Sequence, residues 1–403
     1  MENCPAGANG RDMQIGTYLP APLPAVGQIQ FARFLEWLGF EQLWLPDHLL
    51  FTEDVVAYDP WVMMGGLAIQ TKRIEFGPAV TDPCRTHPAV LAQRLATLDE
   101  MSKGRVFLGL GSGEAMNLDP FGFSWRERRV GRIREYITVL RGLLDSPEPF
   151  TFEGDFYQLK RARLTVRPYQ ERKIPIYMAA LGPMMQRLAG RLADGWMPVI
   201  LPPEHYADYF RPMAESARKH GRDPDTLARM APLVASLNTD GSATREAILE
   251  WLRPVSGALV WKPVFDRLGM EWNPPEEADS TYLDVNPCEP QSMERYCNMQ
   301  RWMPAEMLDY AVAFGGLEEI YERAVDYQRA GVTHLQVNFA SFDPVGSMLQ
   351  FAHQVMPRLT GRPPTPLARV LGTVLNPLIR RGVVKKWLPA PELKMPESAY
   401  NEG

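Results

Sequence analysis

Arg73-Ile-Glu-Phe-Gly77 and Arg105-Val-Phe-Leu-Gly-Leu-Gly111 are two short apolar runs, and the residues between them carry a helical pattern over 88–101. Each run has the length and the branched or aromatic content of a buried strand. Pro88 falls in the first turn of the helix, where a missing N–H costs nothing. Strand, helix and strand in this order predict a parallel pair joined by a right-handed crossover. The unit recurs upstream. Met13-Gln-Ile-Gly-Thr-Tyr18 reads as a strand, followed by a helix over 28–40 with Phe31, Phe34, Leu35 and Leu38 on one face and Gly39 near its stop. Gln42-Leu-Trp-Leu-Pro-Asp-His48 reads as the next strand and 61–70 as the next helix. Four such repeats in about a hundred residues predict a parallel sheet.

The pattern continues downstream. Residues 126–144 read as a long helix, and Thr151-Phe-Glu-Gly-Asp-Phe-Tyr157 with Arg163-Leu-Thr-Val-Arg167 as an inserted hairpin. Ile174-Pro-Ile-Tyr-Met-Ala-Ala180, Gly195-Trp-Met-Pro-Val-Ile200, residues 231–237 and Thr333-His-Leu-Gln-Val-Asn-Phe339 supply strands five to eight, with helices over 184–193 and 345–359. Eight units fit a closed (β/α)8 barrel over residues 13–360 better than an open sheet. Between strands seven and eight lies a long excursion, about 242–331, whose centre Glu271-Trp-Asn-Pro-Pro-Glu-Glu-Ala-Asp is acidic and proline-rich. Such an excursion either roofs the mouth of the barrel or packs as a solvated insertion on its outer helices. In the tail, 361–403, Leu367, Val370, Leu371, Val374, Leu375 and Leu378 follow helical spacing among Arg369, Arg380, Arg381, Lys385 and Lys386. Pro377 would kink or limit that helix. Docking on the barrel or on a second subunit is the favoured reading; peripheral contact with membrane lipid is the alternative.

Composition narrows the function classes. The chain has 403 residues, is 45% hydrophobic and 23% charged, and carries a net charge of −5. That charge argues against nucleic-acid binding driven by phosphate attraction. Cys4, Cys84, Cys288 and Cys297 show irregular spacing with no CxxC pair, which suggests free thiols in a reducing cytoplasm. No secretory signal and no membrane-length apolar run is expected. There is no HExxH or other metal-ligand spacing, so no metal is expected, and no phosphate-binding GxxxxGK[ST] loop or nucleophile elbow occurs.

In such barrels functional groups come from the C-terminal ends of strands. That rule selects Asp47-His48 after strand two, Gly77-Pro-Ala-Val-Thr-Asp82 after strand three, Gly109-Leu-Gly-Ser-Gly-Glu114 after strand four and Ala179-Ala-Leu-Gly-Pro183 after strand five. His48 is a candidate proton donor or acceptor, or else a histidine packed in the barrel wall. Glu114 is a candidate second acid, or a carboxylate satisfied at a helix N-terminus. The glycines around Ser112 and Gly182 allow close backbone approach to a ligand, and N–H groups of such turns suit phosphate. Gly109-x-Gly-x-Gly113 alone is a weak signal, because its third glycine falls too early for a dinucleotide fingerprint.

The run 77–99, Gly104-Arg-Val-Phe-Leu-Gly-Leu-Gly-Ser-Gly-Glu114 followed by Asn117, and Tyr177-Met-Ala-Ala-Leu-Gly-Pro-Met-Met185 with Ala193-Asp-Gly-Trp196 resemble luciferase-like oxidoreductases in order and spacing. Asp47-His48 and Ser112-Gly-Glu114 are similar to the branch that uses coenzyme F420, a 5-deazaflavin hydride carrier. Tyr58-Asp-Pro-Trp-Val-Met-Met-Gly-Gly-Leu-Ala68 and Trp302-Met-Pro-Ala-Glu-Met307 resemble phthiodiolone ketoreductases, and Gly77-Pro-Ala-Val-Thr resembles methylenetetrahydromethanopterin reductases.

The resemblance implies a luciferase-like TIM barrel and an F420-dependent oxidoreductase passing a hydride to or from a carbonyl-type substrate. A pterin reductase with the same cofactor, or an FMN-dependent monooxygenase, are the alternatives. It implies a cis peptide at Ala79–Val80 behind the deazaflavin ring, cofactor contact by Asp47, and proton transfer by His48 with Glu114 as the second candidate acid. Gly111, Ser112, Gly113, Ala180, Leu181 and Gly182 would line the phosphate and ribityl site. A homodimer and a small-molecule or lipid-like substrate are also implied. The chain departs from F420-dependent sugar-phosphate dehydrogenases after its Asp-His pair, where Leu49-Leu-Phe-Thr-Glu53 replaces a tryptophan-bearing stretch. Leu49, Leu50, Phe51, Trp61, Met63 and Met64 suggest a greasy pocket or plain core.

Overall fold

The computed structural model describes residues 13–19, 23–50, 56–237, 244–252, 262–270, 272–276, 284–341 and 343–380. Eleven strands are described: β1 (Gln14–Tyr18), β2 (Gln42–Leu45), β3 (Glu75–Pro78), β4 (Leu108–Leu110), β5 (Phe150–Glu153), β6 (Gln158–Ala162), β7 (Ile176–Met178), β8 (Gly195–Trp196), β9 (Ala228–Leu237), β10 (Val312–Gly315) and β11 (His334–Phe339). The parallel order is β3-β2-β1-β11-β9-β8-β7-β4. Bridges Phe76↔Val106 and Thr81↔Leu110 return β4 to β3, so the expected eight-stranded barrel is present and nearly closed. Helices alternate with the strands, among them Ala25–Leu38, Pro60–Gln70, Pro88–Ser102 and Pro183–Leu192.

Alternation along the strands sorts the side chains into two layers. Leu43, Leu45, Phe76, Leu108, Leu110, Ile176 and Met178 join the large core shared with the helices. Trp44, Phe107, Tyr177, Met197 and Met230 form a second cluster, with Tyr18, Ala79 and Val80 packed on it. This second cluster fills the barrel interior. The closing seam between β3 and β4 requires glycine. A Cβ on Gly77 would lie 2.3 Å from the Phe107 carbonyl oxygen, and one on Gly109 would lie 2.2 Å from that of Pro78.

Some expectations shift. The hairpin pairs β5 with β6, so its second strand is Gln158–Ala162 and not 163–167. The buried Glu135 carboxylate accepts the backbone N–H groups of Asp155 and Phe156 at 3.1 and 2.9 Å, which fixes the turn there. The helix expected over 126–144 starts at Arg129. Trp125 and Arg126 instead donate to the Asp119 carboxylate at 2.6 Å, which holds the preceding segment as a loop.

The excursion contains helices Arg245–Leu252, Lys262–Arg267, Pro290–Arg301 and Ala305–Ala311, and the barrel resumes at β10. β9 pairs with β11 through Ala235, so β10, which pairs with residues 234–237, must lie on the other edge of β9, beyond the end of β8. Helix Leu317–Arg329 then packs on the wall as a barrel helix. In the tail, helix Pro366–Arg380 runs past Pro377, which therefore does not end it, and packs on helix Ala25–Leu38 with Ala368 buried. Cys4, Phe51, Thr52, Glu53, Glu271, the side chains of Val374, Leu375 and Leu378, and residues 381–403 lie outside the described residues. Among the described residues no helix is long and apolar enough to cross a membrane.

At the N-terminal end of the barrel interior, Gln42 Nε2 donates to Gln14 Oε1 at 3.0 Å and to Glu75 Oε2 at 2.9 Å. Burial pushes the Glu75 carboxyl above its ordinary 4.5, against the hydrogen bond from Gln42 and the charge of Arg172, which pull it down. A raised carboxyl pKa means that ionised Glu75 opposes folding, an effect absent well below pH 4.5 and complete above the folded-state pKa. Glu75→Gln should therefore raise the thermal midpoint at neutral pH, with the gain fading as pH falls toward 4.5. A gain that grew on acidification would contradict this account.

Candidate active site

β2, β3, β4 and β7 are consecutive around the barrel, and the loops at their C-terminal ends carry the residues singled out from sequence. His48 after β2 meets Glu114 after β4, and Val80 after β3 meets Gly111. His48 Nδ1 lies 3.0 Å from Glu114 Oε1, with the two side chains 12% and 14% exposed. Glu114 stands at the start of the short helix Ala115–Leu118, immediately after the glycine-rich turn. A carboxylate on Nδ1 favours the tautomer carrying its proton there, which presents Nε2 as the acceptor nitrogen.

Asp47 is 4% exposed and lies in a charged bridge. Arg85 Nη1 donates to Asp47 Oδ1 at 3.0 Å, Nη2 stands 3.0 Å from Oδ2, and Nε donates to Asp82 Oδ2 at 2.6 Å. Trp61 Nε1 adds a 3.3 Å bond to Asp47 Oδ2. Desolvation pulls the Arg85 pKa down, but the charges of Asp47 and Asp82 outweigh it and hold the guanidinium above its usual range. Both Asp47 oxygens are thus engaged by protein groups. Asp82 Oδ1 also accepts the N–H groups of Cys84 and Arg85, shaping the loop after β3. The sequence reading missed Arg85 and Asp82 as partners. Their only local signal was the three-residue spacing beyond a strand end.

The Ala79–Val80 peptide is cis. Val80 packs into the gap left by the neighbouring glycines: a Cβ on Gly111 would lie 2.7 Å from Val80 Cγ2. Thr81 N–H donates to the Gly109 carbonyl at 3.0 Å, and Gly111 N–H donates to that of Thr81 at 2.7 Å. Gly113 has φ of +87°, a value that glycine takes without strain. Ser112 is half-buried beside it. After β7, Ala180 is buried and its carbonyl accepts from Trp196 Nε1 at 2.7 Å. Leu181 is half-buried and Gly182 exposed. Gly182 caps helix Pro183–Leu192 with no side-chain capping bond, and a Cβ there would meet nothing within 4 Å. An open, uncapped N-terminus of this kind accepts an anion.

Of the apolar residues near the site, Met63 and Met64 belong to the main core, Trp61 is half-buried and Leu49 is exposed. One helix of the excursion lies close enough to feel the charge of Glu114. Tyr296, buried on Pro290–Arg301, has its hydroxyl pushed far up, first by burial and then by the charges of Cys297 and Glu114. Among the described residues no group of three or more metal-binding side chains occurs.

Comparison with known proteins gives one answer at family level. The family described as luciferase-like monooxygenase matches residues 13–334. An F420-dependent glucose-6-phosphate dehydrogenase of Amycolatopsis mediterranei is 32% identical over 342 residues, covering 82% of this chain and 93% of its own. A phthiodiolone/phenolphthiodiolone dimycocerosates ketoreductase of Mycobacterium tuberculosis is 28% identical over 350 residues, covering 80% and 89%. Among solved structures, an F420-dependent secondary alcohol dehydrogenase with an F420–acetone adduct superposes with a TM-score of 0.72 at 24% identity, covering 86% of this chain and 99% of that one. The F420-dependent tetrahydromethanopterin reductase of Methanopyrus kandleri gives 0.71 at 22%, with the same coverage. At these identities the two structures show the shared fold.

Removing the cation from the buried bridge should be costly. Arg85→Met leaves two carboxylates facing each other without a counter-charge, which should cost about 3–5 kcal/mol of stability. Arg85→Lys should recover only part, because it keeps the charge but not the forked geometry. Thermal denaturation reads both, and an Arg85→Met variant that melts with the parent would show that the bridge does not hold the site.

Proposed function

The chain belongs to the luciferase-like family, and on that premise we propose that it is an F420-dependent oxidoreductase that moves a hydride between the deazaflavin and a small carbonyl or alcohol substrate. The observation that carries this reading is the placement of the His48–Glu114 pair, Val80 packed on Gly111 and the glycine-rich turns after β4 and β7 on four consecutive strand ends. The relatives named F420-dependent dehydrogenase and dimycocerosates ketoreductase, together with the F420-dependent structural neighbours, support the same cofactor and reaction class.

The residues fit such a cofactor. The uncapped helix start at Gly182, with open space at its Cα, suits a phosphate held by backbone N–H groups. Leu181 beside it, Ala180 beneath it and the turn of Gly111, Ser112 and Gly113 on the adjacent strand would flank the linker between phosphate and ring. Ala79 and Val80 would back the ring, and Asp47 would act through the loop it anchors. When bound, coenzyme F420 supplies or takes up the hydride. The protein's part is alignment and proton handling. As the imidazolium, His48 gives its Nε2 proton to the substrate oxygen, and as the neutral Nδ1–H form it takes one from the substrate in the reverse direction. Glu114 holds the ring in the orientation that this requires and stabilises the imidazolium.

Titration of the purified protein with F420 and with FMN, followed by fluorescence, should show tight binding of the first and weak binding of the second. The reverse order would move the chain to the flavin-dependent members of its family. His48→Ala should lower kcat by about 10²–10⁴-fold while leaving the F420 dissociation constant within a few-fold of the parent. Unchanged turnover would remove His48 from proton transfer.

A further inference from the structure

We propose that Asn117 is a positioning residue for His48, acting on the backbone at both sides of the histidine. Asn117 Nδ2 donates to the Asp47 carbonyl at 3.1 Å, and Asn117 Oδ1 accepts from the Leu49 N–H at 2.6 Å. The first bond holds the peptide entering His48 and the second the peptide leaving it. One side-chain amide thus brackets a single residue, fixing the direction in which its Cα–Cβ bond points. Asn117 is 4% exposed, so water competes poorly for these groups.

The bracket comes from the helix Ala115–Leu118, whose first flanking residue is Glu114. Glu114 faces the imidazole at Nδ1 while Asn117, three residues on, holds the main chain behind it. His48 is therefore met on its ring and on both flanking peptides by one span of four residues. Asn117 and Arg85 Nη2 both donate to the Asp47 carbonyl, which ties the grip to the charged bridge below. The amide is the chemistry that this bracket needs, because one planar group must both donate and accept. Aspartate can accept from Leu49 N–H but cannot donate to the carbonyl of Asp47. Alanine can do neither.

The assignment of His48 to proton transfer comes from the function proposed above, but the bracket can be read without the cofactor. Uniform 15N-histidine labelling of the full chain, with His48→Gln to identify the signal among the six histidines, reports which ring nitrogen carries the proton. In the parent protein His48 should be a single tautomer protonated at Nδ1. Folded Asn117→Ala and Asn117→Asp should both show a mixture of tautomers. Their kcat should fall between about tenfold and a hundredfold, with KM and the F420 dissociation constant unchanged, as expected when a reacting group is misplaced and not removed. Asn117→Asp is nearly isosteric and serves if the alanine variant does not fold. Retention of the parent tautomer in either folded variant would overturn the proposal, and so would a loss confined to KM. A parent that binds no F420 but loses its single tautomer on Asn117 substitution would sink the functional reading and leave the bracket standing.

Discussion

One guanidinium between two buried carboxylates organises the mouth of this barrel. Arg85 reaches Asp47 at the end of β2 and Asp82 beyond β3, and also donates to the Asp47 carbonyl. Desolvating three charges at once is unfavourable, and only close, forked hydrogen bonding makes it tolerable. The return is positional: two strand-end loops that share no ladder beyond Pro78 are held in one arrangement. His48 follows the anchored Asp47 directly, and the cis Ala79–Val80 bulge lies between β3 and the anchored Asp82. The bridge joins the histidine loop to the loop after β3, while Asn117 and the Thr81–Gly111 bond tie each of them to the segment after β4.

The protein uses strong local constraints where the chemistry lies and ordinary packing elsewhere. The seam between β3 and β4 depends on Gly77 and Gly109, because the backbones approach too closely for any side chain. Beside that seam, Val80 and Gly111 interlock. The opposite wall, β1, β11 and β9, is built by regular ladders, and the β11–β9 register is the longest in the sheet. Regular pairing gives stability there.

Much of this was legible in the sequence. The eight strands follow from short apolar runs and intervening helical spacing, which depend on neighbours along the chain. His48 and Glu114 follow from the rule that strand ends carry chemistry. The partners were not legible. Arg85 and Asp47 are 38 residues apart, and Asn117 and Asp47 are 70 apart, so no local pattern links them. The cis Ala79–Val80 bond was accessible only through resemblance. The hairpin register was missed because Glu135, far upstream, sets the turn at 155–156. β10 was hidden inside the excursion because Val312-Ala-Phe-Gly315 is too short to stand out from the helices around it.

The pairing of β1 with β11 has a consequence for synthesis of the chain. β1 is synthesised long before β11, and one of its two edges is completed only by residues 334–337. Glu41 must wait longer for Arg362, and the Trp37 carbonyl for Thr365. A nascent barrel therefore carries an open strand edge until β11 has emerged, a state in which parallel sheets are exposed to association with other chains. Removing β11 would leave that edge of β1 unpaired and open to association with other chains.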